Sequence, residues 1–183
     1  RSLPIGPAED PSVVVSAVID EASREKINRY IEIGRSEGRE AISVDVGKLS
    51  ESGYYVGPQI FADVAPDARI AQEEIFGPVL SVIRVNDLDE AFQVANNVDY
   101  SLTGGIFSRS PANLERARRE IAVGNLYLNR GITGATVGRQ PFGGFKLSGI
   151  GSKAGGADYL LQFLLPKTIT ENTLDAREKL IPA

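Results

Sequence analysis

Segments with strand and helix composition alternate along the middle of the chain, and this alternation is the feature that most restricts the fold. Each strand-like run is rich in β-branched and aromatic residues and is bounded by turn or helix signals. Such alternation is typical of α/β proteins. The sequence therefore predicts an α/β fold in which helices flank a largely parallel sheet. The predicted strands lie at residues 41–46, 54–64 (interrupted by Gly57-Pro58), 79–85, 103–107 and 125–129.

Capping residues mark the predicted helices. Asp20 is placed to cap the first helix, and Gly38 is placed to end it. Asp87, with a glutamate three residues on, resembles a capping box for the second. Ser110 followed by a proline is a typical start for the third. The predicted helices cover residues 21–37, 87–96 and 110–123.

The composition is that of a folded globular protein, with 42% hydrophobic residues in 183. The net charge of −4 argues against a general nucleic-acid or anionic-membrane surface, because such surfaces need clustered Lys and Arg. No apolar run approaches the roughly 18 residues that span a bilayer, and the start of the chain has no signal-peptide pattern. A cytoplasmic protein without a membrane span is therefore predicted.

The chain contains no Cys and no His. A thiolate nucleophile, a Cys-ligated metal and the commonest general base are therefore missing, and we predict neither a catalytic residue nor a metal site. The chain also has no Met and begins with Arg1. These features predict a piece of a longer protein.

A glycine-rich segment at residues 129–156 directly follows the last predicted strand. Ligands of open α/β sheets gather at the carboxyl ends of strands, and glycine allows a ligand to approach the backbone closely. The segment therefore predicts a binding site, with a tightly folded corner as the alternative. It lacks the P-loop motif and a complete dinucleotide-binding fingerprint.

A pair of carboxylates, Glu73 and Glu74, stands beside Phe76 at a predicted turn. The simpler interpretation is a solvated pair with Phe76 in the core. The functional interpretation is that one carboxylate accepts hydrogen bonds from a sugar diol while Phe76 offers a flat apolar surface, an arrangement that suits a ribose. The residues alone favour the simpler interpretation.

Two further candidates lie in the glycine-rich segment. The backbone at Gly134 and Ala135 can turn adjacent amides toward an anion, although the residues alone favour a simple tight turn. Phe142, between a proline and two glycines, is a candidate to line a small apolar or aldehyde pocket, although an aromatic residue in this position is more often simply packed.

Four motifs in series resemble the aldehyde dehydrogenase superfamily. They are EEIFGPVL at 73–80, ANNVDYSLTGGIFSR at 95–109, GNLYLNR at 124–130 and PFGGFKLSGIG at 141–151. Within the superfamily, RGITGATVGRQPFGG at 130–144 and SKAGGADYLLQFLLPKTITENTL at 152–174 look like the L-glutamate γ-semialdehyde (Δ1-pyrroline-5-carboxylate) dehydrogenase branch.

The resemblance implies oxidation of the semialdehyde to glutamate with NAD, the second step of proline catabolism, by a module that many bacteria fuse to proline dehydrogenase. It also implies roles for the candidate residues. Glu74 would bind the nicotinamide ribose hydroxyls, and Phe76 would pack beside that ribose. Gly134 and Ala135 would hold the substrate carboxylate through their amides, and Phe142 would flank the aldehyde chain.

The family's nucleophilic cysteine, general-base glutamate, oxyanion-hole asparagine and dinucleotide-binding domain lie N-terminal to the part that this chain resembles. We therefore expect residues 1–161 to be the C-terminal part of the catalytic domain, and the chain alone to be inactive. The alternative is a non-catalytic assembly module with the same fold.

Polar and other residues alternate in the last predicted strand, at residues 162–174. A strand with so little to bury is expected to pair with another chain. The resemblance identifies it with the family's oligomerisation arm, so residues 162–183 are predicted to be an arm and tail that join a homo-oligomer.

Overall fold

A computed structural model describes residues 3–172. Its elements are α1 (Glu21–Glu37), β1 (Arg39–Ser43), α2 (Leu49–Ser52), β2 (Gln59–Ala62), α3 (Arg69–Gln72), β3 (Val79–Val82), α4 (Leu88–Asn96), β4 (Tyr100–Ser101), β5 (Thr103–Ile106), α5 (Pro111–Glu120), β6 (Asn125–Leu128), β7 (Phe145–Lys146) and a 3-10 helix (Tyr159–Phe163). No helix among residues 3–172 is long and apolar enough to cross a membrane.

Helix α1 forms as predicted. The Asp20 carboxylate accepts a hydrogen bond of 2.7 Å from the Ser23 amide and so caps the first turn. The helix ends at Gly38, whose amide donates to the Gly34 carbonyl. Its buried face includes Ile27 and Ile31, which lie in the main core.

The first sheet has the order β1-β2-β3 and packs against α1. Strand β1 pairs antiparallel with β2, and β2 pairs parallel with β3. Phe61 of β2 is fully buried against Gly34 of α1, where a Cβ would lie only 2.5 Å from the ring. Buried residues of α1, β2, α3 and the neighbouring turns form the core: Ile27, Ile31, Val56, Phe61, Val64, Ile70 and Ile75.

The second half of the chain contains two smaller sheets. Strands β5 and β6 are parallel, with α5 in the connection between them, whereas β4 and β7 are antiparallel. Helix α5 starts as predicted, with Ser110 as its cap. It ends at Glu120, three residues before the predicted end, because the next residues bond elsewhere. The Ala122 amide donates to the Asn96 side chain at 2.9 Å, and the Gly124 amide donates to the Ser101 carbonyl at 3.0 Å.

The prediction of α/β architecture is confirmed, but the prediction of one largely parallel sheet is wrong. The described residues form three small sheets with two parallel and two antiparallel pairings. The exposure of β1 explains part of this difference. All five residues of β1 are exposed, and parallel strands are normally buried on both faces, whereas an antiparallel edge strand tolerates solvent.

The predicted strand at residues 162–174 is not formed where the structure describes it. Residues 159–163 form a 3-10 helix, and residues 164–172 have no regular element. A strand needs a neighbour for its backbone hydrogen bonds, and none is present among residues 3–172. Positions 173 and 174, and the predicted tail at 175–183, lie outside the described residues.

Candidate functional site

The turn at residues 73–77 joins α3 to β3 and is held by α1. Lys26 of α1 donates a 2.7 Å hydrogen bond to the Glu74 carbonyl. Gly77 lies against Ile27, and a Cβ on that glycine would come within 2.6 Å of the isoleucine. Phe76 has a φ of +59°, which is unusual for a non-glycine residue. The turn is therefore fixed by contacts with a core helix.

Within this turn, Glu73 is bound on two sides. Arg69 donates two hydrogen bonds of 3.0 Å to its carboxylate, and the Tyr30 hydroxyl donates a third of 2.5 Å. The hydrogen bonds from Arg69, and then that from Tyr30, lower the pKa of Glu73 to about 2. The same carboxylate raises the pKa of Tyr30. Glu73 therefore serves to attach α3 to α1.

The side chains of Glu74 and Phe76 have fewer contacts than that of Glu73. The Glu74 carboxylate has no hydrogen-bond partner within residues 3–172, and the Phe76 side chain is 81% exposed. The interpretation that places Phe76 in the core is wrong, because Ile75 takes the buried position of this turn. The turn thus presents a free carboxylate two residues from an exposed aromatic ring.

The glycine-rich segment is anchored where it leaves β6. Asn129 accepts a 2.8 Å hydrogen bond from the Ser108 amide and donates one of 3.0 Å to the Ser108 carbonyl. The guanidinium of the next residue, Arg130, lies 5.1 Å from the centroid of the Tyr127 ring. Its Nη2 atom donates to the Thr133 carbonyl at 3.2 Å. The first turn of the segment is therefore attached to the end of β6.

Gly134 and Ala135 follow this first turn. Gly134 has a φ of +80°, which a residue with a side chain rarely adopts. Within residues 3–172, neither of the two amides donates a hydrogen bond. The next amide, that of Thr136, donates to the Gln140 side chain at 3.1 Å, and the Thr136 carbonyl accepts from the Gln140 amide at 2.8 Å. A closed turn thus begins immediately after two amides that are free to bind a ligand.

Phe142 is held by its backbone. Its amide and carbonyl pair with those of Ala154 at 2.9 and 3.0 Å. The Asn125 side chain donates to the Pro141 carbonyl at 3.0 Å and accepts from the Gly143 amide at 3.3 Å. The Phe142 side chain is 39% exposed, so it is packed in part and remains accessible in part.

The five predicted residues form two groups. Glu74 and Phe76 share the turn before β3, whereas Gly134, Ala135 and Phe142 share the segment after β6. No hydrogen bond within residues 3–172 joins the two groups. A cavity of about 610 Å³ beside β1 is lined by other residues, among them Leu3, Ile42 and Ile60. Among residues 3–172, no cluster of acidic side chains is suited to a metal ion.

Two residues that support the second group were not singled out by the sequence analysis. The Asn125 side chain forms hydrogen bonds with the backbone on both sides of Phe142, and Arg130 binds the loop that contains Gly134. Asn125 is the second residue of the motif GNLYLNR, and Arg130 is its last. Polar residues that flank an apolar strand immediately before a glycine-rich loop were the signal for them.

The family model for the aldehyde dehydrogenase family matches residues 1–169. Among curated proteins, a 1-pyrroline-5-carboxylate dehydrogenase of Geobacillus sp. (strain WCH70) is 51% identical over 172 residues, which cover 93% of this chain and 33% of that protein. One from Bacillus subtilis (strain 168) is 50% identical over 171 residues, with the same shares. The chain spans about a third of the length of these relatives.

Solved structures give the same relationship. The 1-pyrroline-5-carboxylate dehydrogenase from Thermus with bound NAD superposes with a TM-score of 0.80 at 52% identity, covering 88% of this chain and 31% of that one. Proline utilization A from Bdellovibrio bacteriovorus superposes with a TM-score of 0.88 at 50% identity, covering 100% of this chain and 18% of that one. Since the family model matches residues 1–169 of 183, the chain belongs to the aldehyde dehydrogenase family.

Proposed function

We propose that this chain is part of an NAD-dependent dehydrogenase that oxidises L-glutamate γ-semialdehyde to glutamate. Residues 1–161 would be the C-terminal part of its catalytic domain, and residues 162–183 an oligomerisation arm and tail. Identities of about half to several 1-pyrroline-5-carboxylate dehydrogenases support the assignment of the substrate. The coverage of only a third of those proteins supports a longer parent.

The observation that carries this proposal is the pair of free amides at Gly134 and Ala135. Adjacent backbone N–H groups in such a loop form a concave site for an anion. The substrate is an aldehyde that also bears a carboxylate, so two amides that bind the carboxylate would fix the opposite end of the molecule. Phe142, partly exposed on the same segment, would then border the apolar carbons between the two ends.

The turn that contains Glu74 and Phe76 fits the ribose of a nicotinamide cofactor. A carboxylate without a partner in residues 3–172 accepts hydrogen bonds from two neighbouring hydroxyls, and an exposed ring covers the apolar side of a sugar. NAD, when bound, supplies the hydride acceptor of the reaction. The residues of this chain would hold and orient its ribose, in line with the bound NAD of the Thermus relative.

The chain contributes binding groups rather than the nucleophile, because it contains no Cys at any of its 183 positions. We therefore infer that the 183-residue chain alone does not turn over aldehyde.

The second candidate is a non-catalytic assembly module. It is favoured by the exposed leucines and phenylalanine at residues 160–165 together with the absence of Cys. The free Glu74 carboxylate and the exposed Phe76 favour the dehydrogenase, because an assembly module has no need of a ribose contact.

The test compares substrates in the full-length parent. NAD reduction is measured with glutamate semialdehyde and with pentanal, a neutral aldehyde of the same chain length, and the 183-residue chain serves as the control. A strong preference for the semialdehyde with a silent control would support the proposal. Equal use of both aldehydes would contradict the substrate assignment, and an inactive parent would favour the assembly module.

A further inference from the structure

Arg130 is exposed, but two contacts hold its side chain. Its guanidinium lies over the ring of Tyr127, which is only 5% exposed, and its Nη2 atom donates to the Thr133 carbonyl. Because the ring is buried, it gives the guanidinium a fixed surface to lie against. The side chain therefore connects a rigid strand to the first turn of the glycine-rich segment.

The charge of Arg130 is not neutralised by an acidic side chain in the described part of the chain, where no ion pair to it occurs. Several other arginines of the fold are paired, for example Arg69 with Glu73 at 3.0 Å and Arg116 with Asp89 at 2.6 Å. A Cβ built on Gly134 would lie 3.9 Å from the Arg130 Nη2 atom. An unpaired cation thus lies near Gly134.

The geometry of the peptide bond connects this cation to the amide of Gly134. The Thr133 carbonyl and the Gly134 N–H belong to one peptide group, and in a trans peptide they point in opposite directions. When Arg130 binds the carbonyl, it directs the N–H away from itself. A carbonyl that accepts a charge-assisted hydrogen bond also makes the N–H of the same group a stronger donor.

We propose that Arg130 is a positioning residue for substrate carboxylate binding: it orients and polarises the Thr133–Gly134 peptide so that the Gly134 amide donates to the carboxylate. This inference rests on the proposed function. Arg130 acts through the peptide and does not itself touch the substrate. It makes the parent enzyme selective for aldehydes that carry a carboxylate.

The test uses Arg130→Met and Arg130→Lys in the full-length parent. Methionine keeps an unbranched apolar side chain over Tyr127 and removes the donors. We expect it to raise KM for glutamate semialdehyde about tenfold, with kcat within about twofold, and to leave both constants for pentanal unchanged. Lysine can donate to the same carbonyl and is expected to recover most of the loss.

A matched control and a second measurement separate this role from a general loss of structure. Arg139→Met, at an exposed position of the same segment without an ion pair in residues 3–172, is expected to change neither substrate's constants. Hydrogen exchange followed by mass spectrometry is expected to become faster at residues 131–136 in Arg130→Met only.

The outcomes distinguish a failure of the role proposed for Arg130 from a failure of the proposed function. Equal losses for both aldehydes, or unchanged exchange at residues 131–136, would overturn the role of Arg130. If the unsubstituted parent does not prefer the semialdehyde, the proposed function fails. Faster exchange in Arg130→Met would then still establish that Arg130 orders the loop, while its role toward a carboxylate would be refuted.

Discussion

Tyr30 and Arg69 both bind Glu73 and leave the adjacent Glu74 without a partner in residues 3–172. The two glutamates are identical in chemistry and neighbours in the chain. Their different surroundings assign attachment of α3 to Glu73 and leave the other carboxylate available for a ligand. Substitutions at the two positions are therefore expected to have different consequences.

Replacement of Glu74 by glutamine in the full-length parent tests the ribose contact. A neutral amide accepts hydrogen bonds more weakly than a carboxylate, so we expect Glu74→Gln to raise KM for NAD about tenfold without changing thermal stability. Initial rates at varied NAD measure this effect. The matched control is Glu73→Gln, which we expect to lower the melting temperature and to leave KM for NAD unchanged. Similar KM values for both variants would argue against Glu74 as the ribose ligand.

The lowered pKa of Glu73 predicts a pH dependence of stability. The pKa falls from an ordinary value of 4.5 to about 2 in the folded chain. A depressed carboxyl pKa stabilises the folded state above pH 4.5, and this stabilisation is lost as the pH falls from 4.5 to about 2. Since glutamine does not titrate, the difference in melting temperature between the 183-residue chain and its Glu73→Gln variant is expected to narrow in acid.

Thermal unfolding from about pH 6 to about pH 3 measures this difference. Glu25→Gln is the control, because Glu25 lies exposed on α1 without an ion pair in residues 3–172. A gap between the chain and Glu73→Gln that stays constant with pH would show that Glu73 stabilises through packing rather than charge.

At the scale of elements, the sequence predicts those features that depend on neighbouring residues. The cap of α1 by Asp20 forms as expected, and the Glu90 amide donates to the Asp87 carboxylate at 2.9 Å to cap α4. The end of α5 was missed, because it is determined by Asn96 and Ser101, which bind the amides of Ala122 and Gly124 from more than twenty residues away along the chain. Local signals in the sequence specify the start of a helix more reliably than its end, when tertiary contacts determine that end.

The contact between α1 and β2 depends on Gly34. The position is helical and buried, and a Cβ would come within 2.5 Å of the Phe61 ring, which is itself fully buried. Alanine has the higher helix propensity, by about 1 kcal/mol. Overpacking of a dense core costs about 1–3 kcal/mol, because dense packing leaves a buried ring little space into which to move. We therefore expect Gly34→Ala to be destabilising despite its better propensity.

Urea unfolding of the 183-residue chain measures the effect of Gly34→Ala. The control is Asn28→Ala, an exposed position on the same helix, where propensity alone is expected to make alanine neutral or slightly stabilising. If the free energy of unfolding of Gly34→Ala equals that of the unsubstituted chain, α1 moves away from β2 at little cost.

At the scale of the whole molecule, the topology was beyond the reach of sequence patterns. Alternation of strands and helices predicted an α/β fold, but it does not specify which strands pair or that β1 is an antiparallel edge. The candidate residues could be singled out from the sequence because each of the two groups lies within one short motif, and their roles stay predictions. The different surroundings of Glu73 and Glu74 were not predicted, because Tyr30, which binds Glu73, lies 43 residues away along the chain.

The end of the described chain presents apolar side chains to solvent. Leu160, Leu161, Phe163 and Leu164 are each more than 60% exposed, and Leu165 is 95% exposed. Contiguous apolar surface of this kind is typical of an interface. It supports the proposal that residues 162–183 join subunits, because burial of each leucine against a partner contributes about 1.5–3 kcal/mol.

Sedimentation equilibrium of the 183-residue chain tests this interface. We expect concentration-dependent self-association, and we expect the double substitution Leu164→Ser and Leu165→Ser to weaken it by at least about tenfold, because both leucines lose their apolar contact with the partner. Leu147→Ser is the control, since Leu147 is 70% exposed but lies outside the arm. A monomer at all concentrations would contradict the arm as an interface of this chain. Equal association of all three proteins would place the contact on another surface.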